Sequence, residues 1–301
     1  MVSNSRRFNV IFAAAVLFLI LIFKIEKTNP DISSLQEEVN ETAMHQETAS
    51  LGALNYQVFK VVISEAPAFL AAYLDNGAEI LSKNHKLHWP LASITKLMTA
   101  LVIRESLDLG QSVKIDEAAI LEEGAAGGFS AGEVFSVSDL LKAMLAVSSN
   151  DIAAALSGAY LQIKNISLIE AMNQKAETLQ MNNTRFVDAT GLSVLNQSTA
   201  EDLIKLMRYL FESRPEILGI TRQKEVEITE LNSKIKRELR NINKFAGDPD
   251  FIGGKTGFTD EANGNLISLF DPPNSPRLVF IAVFGAEDRF AETEKIYNAI
   301  K

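Results

Sequence analysis

Ser93 and Lys96, in the stretch "LASITKLMTA", have the residue types and spacing of a nucleophile and its base. Positions three apart on a helix share one face, so the hydroxyl and the amine come within reach of each other. A serine hydroxyl is a weak nucleophile until a base takes its proton, and a neutral lysine can do so. The same stretch also fits an ordinary buried helix, so the spacing alone leaves both interpretations open.

Two further short patterns could complete such a site. Ser148-Ser149-Asn150 lies between two predicted helices, where a helix end and an N-cap at Asn150 would be explanation enough. Lys255-Thr256-Gly257 closes a predicted strand, where a glycine turn is the competing explanation. Similar pieces occur at residues 82–84 and 233–236, and we expect the second to be a solvated helix face. Only the first three patterns follow one another in an order typical of acyl-transferring serine enzymes.

The elements that must position these residues are strands near both ends of the chain. "VFKVVI", "AFLAAYL" and "AEILSK" precede Ser93, and "DFIGGKTGF", "GNLISLF" and "RLVFIAVFG" follow residue 249. Residues 287–300 form a predicted closing amphipathic helix. This arrangement predicts an α+β fold in which one sheet is built from both chain ends around a helical insertion.

Helices are predicted for the middle of the chain. One begins near Ser93, and "SVSDLLKAML" and "NDIAAALSGAYL" form two more with "AVSS" between them. "STAEDLIKLMRYL" opens with Ser198 and has Glu201 three residues later, which predicts a capping box. Residues 223–245 are polar and mixed, with no assigned element.

Composition excludes several classes of function. The chain has 301 residues, 47% hydrophobic and 22% charged, with a net charge of −9, which argues against a broad basic face for nucleic acid. There is no cysteine, so disulfides, thiolate zinc sites and a cysteine nucleophile are ruled out. The three histidines, His45, His85 and His88, form no metal-binding pattern. We therefore expect no histidine- or cysteine-based metal site, and the chemistry of a serine nucleophile with a lysine base needs no metal or organic cofactor.

The N-terminus predicts a membrane anchor. Arg6 and Arg7 precede an apolar run of 14 residues, 10–23, which extends to Phe8 if Asn9 is tolerated. No small-residue cleavage site follows, so an uncleaved signal-anchor is favoured over a signal peptide. We predict a cytoplasmic segment at 1–7, a transmembrane helix at 8–23, a flexible acidic linker at 24–55 and a catalytic domain at 56–301 outside the cytoplasm.

With these patterns assembled, the chain resembles the superfamily of penicillin-binding proteins and serine β-lactamases. More closely, it resembles the low-molecular-mass D-alanyl-D-alanine carboxypeptidases, peptidase family S11, over about residues 66–301. The stretches that carry the resemblance are "PLASITKLMTALV", "AVSSNDIAAAL", "FVDATGLS" and "GGKTGFTDEANGNLIS". It implies a β-lactamase/transpeptidase-like fold, with helices flanking the antiparallel sheet and an all-helical subdomain.

The resemblance also implies roles for individual residues. Ser93 would be the nucleophile and Lys96 the general base, with a pKa lowered by burial and by the nearby Lys255. The implied proton relay is Ser148, and Asn150 would position the substrate and Lys96. The substrate-binding residues implied are Lys255, Thr256, Gly257, Phe258 and Arg289. The backbone N–H groups of Phe258 and Ser93 would form the oxyanion hole.

The implied substrate is a peptidoglycan stem peptide ending in D-Ala-D-Ala, and β-lactams are the implied inhibitors. The protein would act in cell wall remodelling, as a monomer at the bacterial cytoplasmic membrane. Two departures from the family leave the exact substrate open: Ser149 stands where glycine is frequent, and Phe258 where His or Tyr is common. The alternatives are a D,D-endopeptidase, an inactive peptidoglycan-binding scaffold and a β-lactamase. A class A β-lactamase is disfavoured because no deacylating glutamate occurs around residues 183–191.

Overall fold

The computed structural model describes residues 64–301. The predicted cytoplasmic segment, transmembrane helix and acidic linker, and the predicted strand "VFKVVI", lie outside the described residues.

Eleven strands and eight α-helices are found in this part of the chain. The strands are β1 (Ala68–Tyr73), β2 (Glu79–Lys83), β3 (Trp89–Pro90), β4 (Ser112–Lys114), β5 (Val134–Ser136), β6 (Gln197–Ser198), β7 (Glu225–Thr229), β8 (Lys236–Arg240), β9 (Phe251–Thr259), β10 (Asn263–Phe270) and β11 (Val279–Ala286). The helices are α1 (Lys96–Ser106), α2 (Glu117–Ile120), α3 (Val137–Ala146), α4 (Asn150–Lys164), α5 (Leu168–Thr178), α6 (Ala200–Ser213), α7 (Pro215–Arg222) and α8 (Arg289–Ile300). A 3₁₀ turn, Ala92–Thr95, leads into α1.

The main sheet joins both sides of the helical region, as the sequence predicts. Its five strands run in the order β2-β1-β11-β10-β9, and every neighbouring pair is antiparallel. All eight residues of β11 are buried, which is why this strand is an uninterrupted apolar run rather than an alternating one. β9 is the last strand in this order, so it is an edge strand and one side of its backbone has no strand partner.

The core lies between this sheet and the helices. α1 is buried over its first eight residues, Lys96–Ile103, so it runs through the interior rather than across the surface. α7 packs against β9, and α8 packs against β10 and β11. The apolar residues of "LASITKLMTA" therefore lie in the core, which surrounds the start of α1.

Two local predictions were wrong. The N-cap of α6 is Thr199, whose side chain accepts a hydrogen bond from the Asp202 backbone N–H at 3.2 Å. Ser198 instead belongs to β6 and pairs with Trp89, so the predicted capping box is not formed. Residues 233–236 are not a helix face, because they form the turn of the β7–β8 hairpin and the start of β8.

No single helix among residues 64–301 has the length and hydropathy needed to cross a bilayer. α4 and α5 meet those criteria only when taken together, and they are bent by 89° at the break between them.

Candidate active site

Ser93 lies on the 3₁₀ turn, which is clamped between two glycines. A Cβ on Gly191 would lie 1.9 Å from the Ala92 carbonyl oxygen, and one on Gly257 would lie 2.7 Å from the Leu91 carbonyl oxygen. Neither position can hold a side chain unless the backbone moves. Ala92 itself has a φ of +48°, a left-handed conformation that is uncommon outside glycine. The nucleophile position is thus held by close packing on both sides.

Lys96 is fully buried, and its ammonium nitrogen has three oxygen partners. The Nζ atom lies 2.9 Å from Ser93 Oγ, 2.5 Å from Asn150 Oδ1 and 2.6 Å from the Thr190 carbonyl oxygen. The side chain thus contacts the nucleophile, the Ser-x-Asn segment and a loop to which the sequence analysis assigned no role in the site.

Burial lowers the pKa of Lys96 to about 7, because water no longer solvates the ammonium. The carboxylates of Asp188, Asp151 and Glu122 oppose this effect and raise the pKa, Asp188 most strongly. A pKa near 7 leaves a large fraction of neutral amine at neutral pH, which a general base requires. The expected contribution of Lys255 to this pKa is not found, and the effect runs the other way, with Lys96 lowering the pKa of Lys255.

The Ser-x-Asn segment turns between α3 and α4. Ser148 has a φ of +61° and its Oγ accepts a hydrogen bond from Lys255 Nζ at 2.9 Å. Asn150 Nδ2 donates to the Glu123 carbonyl at 2.7 Å, which directs its Oδ1 toward Lys96. The N-cap of α4 is Ser149, not Asn150, and Ser149 Oγ accepts from the Ile152 N–H. The hydroxyl at Ser149 is therefore occupied by the helix and does not enter the site.

Lys255, Thr256 and Gly257 lie on β9 and bring its outer side against the 3₁₀ turn. A Cβ on Gly257 would be 3.2 Å from the Ser93 backbone nitrogen, so the absent side chain lets the strand approach the nucleophile. Lys255 is buried, and burial, then Lys96, then Arg289 hold the pKa of its amine well below the usual range. Phe258 follows on the strand and its side chain is 57% exposed, so it borders the site from outside.

Arg289, at the start of α8, approaches the same strand. Its Nη1 donates to the Gly257 carbonyl at 3.4 Å, and its buried Nε has no hydrogen-bond partner. Burial lowers the pKa of the guanidinium, and Asp288 opposes that effect. Among residues 64–301, neither Arg289 nor Lys255 forms an ion pair. Two basic side chains without an ion-pair partner favour the binding of an anionic group at this end of β9.

The structure brings all nine predicted site residues to one place, from four separate parts of the chain. It also adds the Thr190 carbonyl, which the sequence analysis missed because a backbone acceptor has no side-chain signature. The sequence "DATG" was the only indication of this turn, since an Asp two residues before a Thr-Gly pair is typical of a tight turn. Within the described residues, no group of three or more His, Cys, Asp or Glu side chains could hold a metal ion.

A Ser–Lys pair with a buried lysine, facing a Ser-x-Asn turn and a Lys-Thr-Gly edge strand on this α+β scaffold, defines a serine-type peptidase with the penicillin-binding, transpeptidase-like fold. The sequence profile of peptidase S11, D-alanyl-D-alanine carboxypeptidase, matches residues 62–287. The chain belongs to this family.

Individual relatives agree with this assignment. The chain is 35% identical over 232 residues to the D-alanyl-D-alanine endopeptidase of Escherichia coli (strain K12), covering 75% of this chain and 74% of that one. It is 29% identical over 245 residues to the D-alanyl-D-alanine carboxypeptidase DacF of Bacillus subtilis (strain 168), covering 78% and 61%. The crystal structure of penicillin-binding protein D2 from Listeria monocytogenes in its ampicillin-bound form superposes with a TM-score of 0.65 at 29% identity, covering 79% and 98%.

Proposed function

We propose that the chain is a D-Ala-D-Ala carboxypeptidase that removes the terminal D-Ala of peptidoglycan stem peptides through an acyl-enzyme on Ser93. The observation that carries this proposal is the set of three oxygen atoms around Lys96 Nζ. Family membership supports the substrate class, and the geometry supports the role of each residue.

The Lys96 contacts determine the direction of proton transfer. A neutral amine has two N–H groups and one lone pair. The Asn150 amide oxygen and the Thr190 carbonyl can only accept hydrogen bonds, so they take the two N–H groups. The lone pair is then left for the third neighbour, the Ser93 hydroxyl, which can donate its proton. Lys96 thus acts as the general base when Ser93 attacks the carbonyl of the penultimate D-Ala.

The negative charge that develops on that carbonyl oxygen requires donors aimed at it. The backbone N–H groups of Ser93 and Phe258 are suited to this task, because Gly257 brings β9 against the nucleophile turn. Ser148, hydrogen-bonded to Lys255, relays the proton that Lys96 took from Ser93 to the leaving D-Ala amine. Water then attacks the ester on Ser93 and releases the shortened peptide, with Lys96 again accepting a proton.

The terminal carboxylate of the substrate is held by Lys255, Thr256 and Arg289. Lys255 is buried without an anionic partner among the described residues, and Arg289 has an unpartnered Nε, so a carboxylate would satisfy both. The penicillin carboxylate carries the same charge, which supports β-lactams as inhibitors. As an edge strand, β9 also offers main-chain groups to an extended peptide.

A fluorescent penicillin tests the acyl-enzyme. We expect wild-type protein to acquire one covalent label and Ser93→Ala to acquire none. Ser233→Ala is the matched control, because Ser233 stands three residues before a lysine but lies on the β7–β8 turn, and it should label like wild type. Wild-type protein that remains unlabelled would refute the proposal, and full labelling of Ser93→Ala would move the nucleophile elsewhere.

D,D-endopeptidase activity is the second candidate, and the comparisons favour it in one respect. The Escherichia coli relative, at 35% identity, is named an endopeptidase, whereas the Bacillus subtilis carboxypeptidase is 29% identical. Release of D-Ala from a pentapeptide and cleavage of a cross-linked peptide dimer, measured on the same preparation, separate the two activities. Cleavage of the dimer without release of D-Ala would replace the carboxypeptidase assignment.

We further propose that residues 8–23 anchor the protein in the bacterial cytoplasmic membrane as a monomer, with the catalytic domain outside the cytoplasm. The basic pair Arg6-Arg7 before the apolar run supports this orientation. The mass of the protein extracted from membranes should correspond to the uncleaved chain. A new N-terminus near residue 28 would contradict an anchor and indicate a cleaved signal peptide.

A further inference from the structure

The turn at residues 188–193 is organised around one carboxylate. Asp188 Oδ1 accepts hydrogen bonds from Thr190 N–H at 2.8 Å, Thr190 Oγ1 at 2.8 Å and Gly191 N–H at 2.6 Å. Asp188 Oδ2 accepts from Ser193 N–H at 2.9 Å. Four donors from three residues thus converge on one half-buried side chain, and they hold its pKa below the usual range against the opposing effect of burial.

This turn carries the acceptor that holds Lys96. The Thr190 carbonyl lies between the two residues whose N–H groups bind Asp188, and it meets Lys96 Nζ at 2.6 Å. Gly191, with a φ of +91°, packs directly on the Ala92 carbonyl. Any movement of the turn would therefore be transmitted both to the base and to the nucleophile turn.

A second side chain ties the base of the turn to the last residue of the 3₁₀ turn. The fully buried Asn196 accepts from Val187 N–H at 2.6 Å through Oδ1, and its Nδ2 donates to Thr95 Oγ1 at 3.3 Å. The turn that carries Asp188 is thus tied to the 3₁₀ turn on both sides, through Gly191 and through Asn196.

From these contacts we propose that Asp188 is a positioning residue for Lys96. Its carboxylate shapes the turn that presents the Thr190 carbonyl to the amine, and it places a permanent negative charge near the base. This inference rests on the proposed function of Lys96 as the general base. Both carboxylate oxygens of Asp188 accept hydrogen bonds within the turn, so the role of Asp188 is exerted through Lys96.

The charged groups around Lys96 come from several elements. Asp188 belongs to the turn, Asp151 to the first turn of α4, Glu122 to the loop after α2, and Lys255 to β9. Only Asp188 combines a charge effect on Lys96 with hydrogen bonds that position one of its partners. Removing this charge favours the neutral amine, so the acid limb of the pH profile should move to lower pH.

The experiment measures the second-order rate of acylation by a fluorescent penicillin between pH 5 and 9. In Asp188→Asn the amide oxygen can keep the three Oδ1 contacts, while the charge is lost. We expect the maximal rate to fall about tenfold and the acid limb to move down by about half a pH unit. On a limb of unit slope, the rate at pH 5.5 relative to the maximum then rises about threefold.

Glu230→Gln is the matched control. Glu230 is another carboxylate that holds a turn by accepting hydrogen bonds from Val134 N–H, Ser233 N–H and Ser233 Oγ, but it lies on the β7–β8 turn. This variant should keep the wild-type acid limb even if it is less stable. An Asp188→Asn profile that coincides with that of wild type, or moves to higher pH, would overturn the charge role.

Asp188→Glu keeps the charge but lengthens the side chain. Its acid limb should stay at the wild-type pH while the maximal rate falls about tenfold, because the Thr190 carbonyl is displaced. Wild-type rates in this variant would overturn the positioning role even if Asp188→Asn did not fold. Failure of wild-type protein to be acylated would instead refute the proposed function, so the two failures are distinguishable.

Discussion

Replacing Gly257 by alanine should separate β9 from the nucleophile turn. The added Cβ would stand 2.7 Å from the Leu91 carbonyl oxygen, 3.1 Å from Ala92 Cβ and 3.2 Å from the Ser93 nitrogen. Ordinary contact begins near 3.4 Å, so the strand and the turn must part by roughly 0.5–0.7 Å. The nearest atom belongs to the backbone rather than to the tip of a flexible side chain, so the overlap can be relieved only by moving the backbone.

This displacement falls on the proposed oxyanion hole, whose two N–H groups come from the two parts being separated. Because donors act within about 2.7–3.1 Å of the oxyanion, we expect acylation by penicillin to slow by about 10²-fold. Overpacking should also lower the free energy of unfolding by about 1–3 kcal/mol, or roughly 2–10 °C in Tm for a domain of this size. Acylation rates and thermal unfolding on the same samples measure both effects.

Gly158→Ala is the matched control, since a Cβ at that position in α4 meets nothing within 4 Å. It should acylate at the wild-type rate and gain about 0.5–1 kcal/mol, because alanine is the better helix former. A Gly257→Ala variant that acylates within twofold of wild type would refute the link between this close approach and oxyanion stabilisation.

Further outcomes follow from the same geometry. The acylation rate of wild type should be lost as the pH falls through about 7, because protonated Lys96 cannot accept a proton; a pH profile that is flat between 6 and 8 would contradict this. Asn150→Asp places a carboxylate against Lys96, so its acid limb should move up by about one pH unit or more, and an unchanged limb would argue against direct contact. Arg289→Gln should raise the KM for a D-Ala-D-Ala peptide about tenfold with kcat less affected, whereas an unchanged KM would remove Arg289 from carboxylate binding. Leu101→Ala in buried α1 should cost about 2–5 kcal/mol in denaturant unfolding, and a loss below 1 kcal/mol would contradict its place in the core.

The sequence predicted the parts of the site in which chemistry requires particular side chains. Ser93, Lys96 and Lys255 have chemically specific roles, so their order along the chain was informative. The Thr190 carbonyl could not be found in the same way, since any residue supplies that oxygen and only the folded turn directs it. Asp188 stood within a stretch that resembles the family, but its link to Lys96 depends on two contacts in series.

Errors in the fold arose where two neighbouring residues could serve equally well. Ser198 and Thr199 are both good N-caps, and pairing of Ser198 with Trp89 assigned that residue to a strand.

The β7–β8 hairpin was missed because its outer face is charged, and only Val226 and Ile228 mark the buried side of β7. A short hairpin with one solvated face gives too few apolar positions to establish a period.

The strand order has a consequence for how the molecule matures. β1 pairs with β11, which lies about two hundred residues later in the sequence, so β1 cannot be paired on that side until β11 is in place. Lys255 and the nucleophile turn likewise come together only when β9 joins the sheet. A chain in which β9 has not yet joined the sheet has Ser93 and Lys96 but lacks the strand that completes the site. Acquisition of covalent penicillin could therefore report the last step of folding, rather than the presence of the reactive serine.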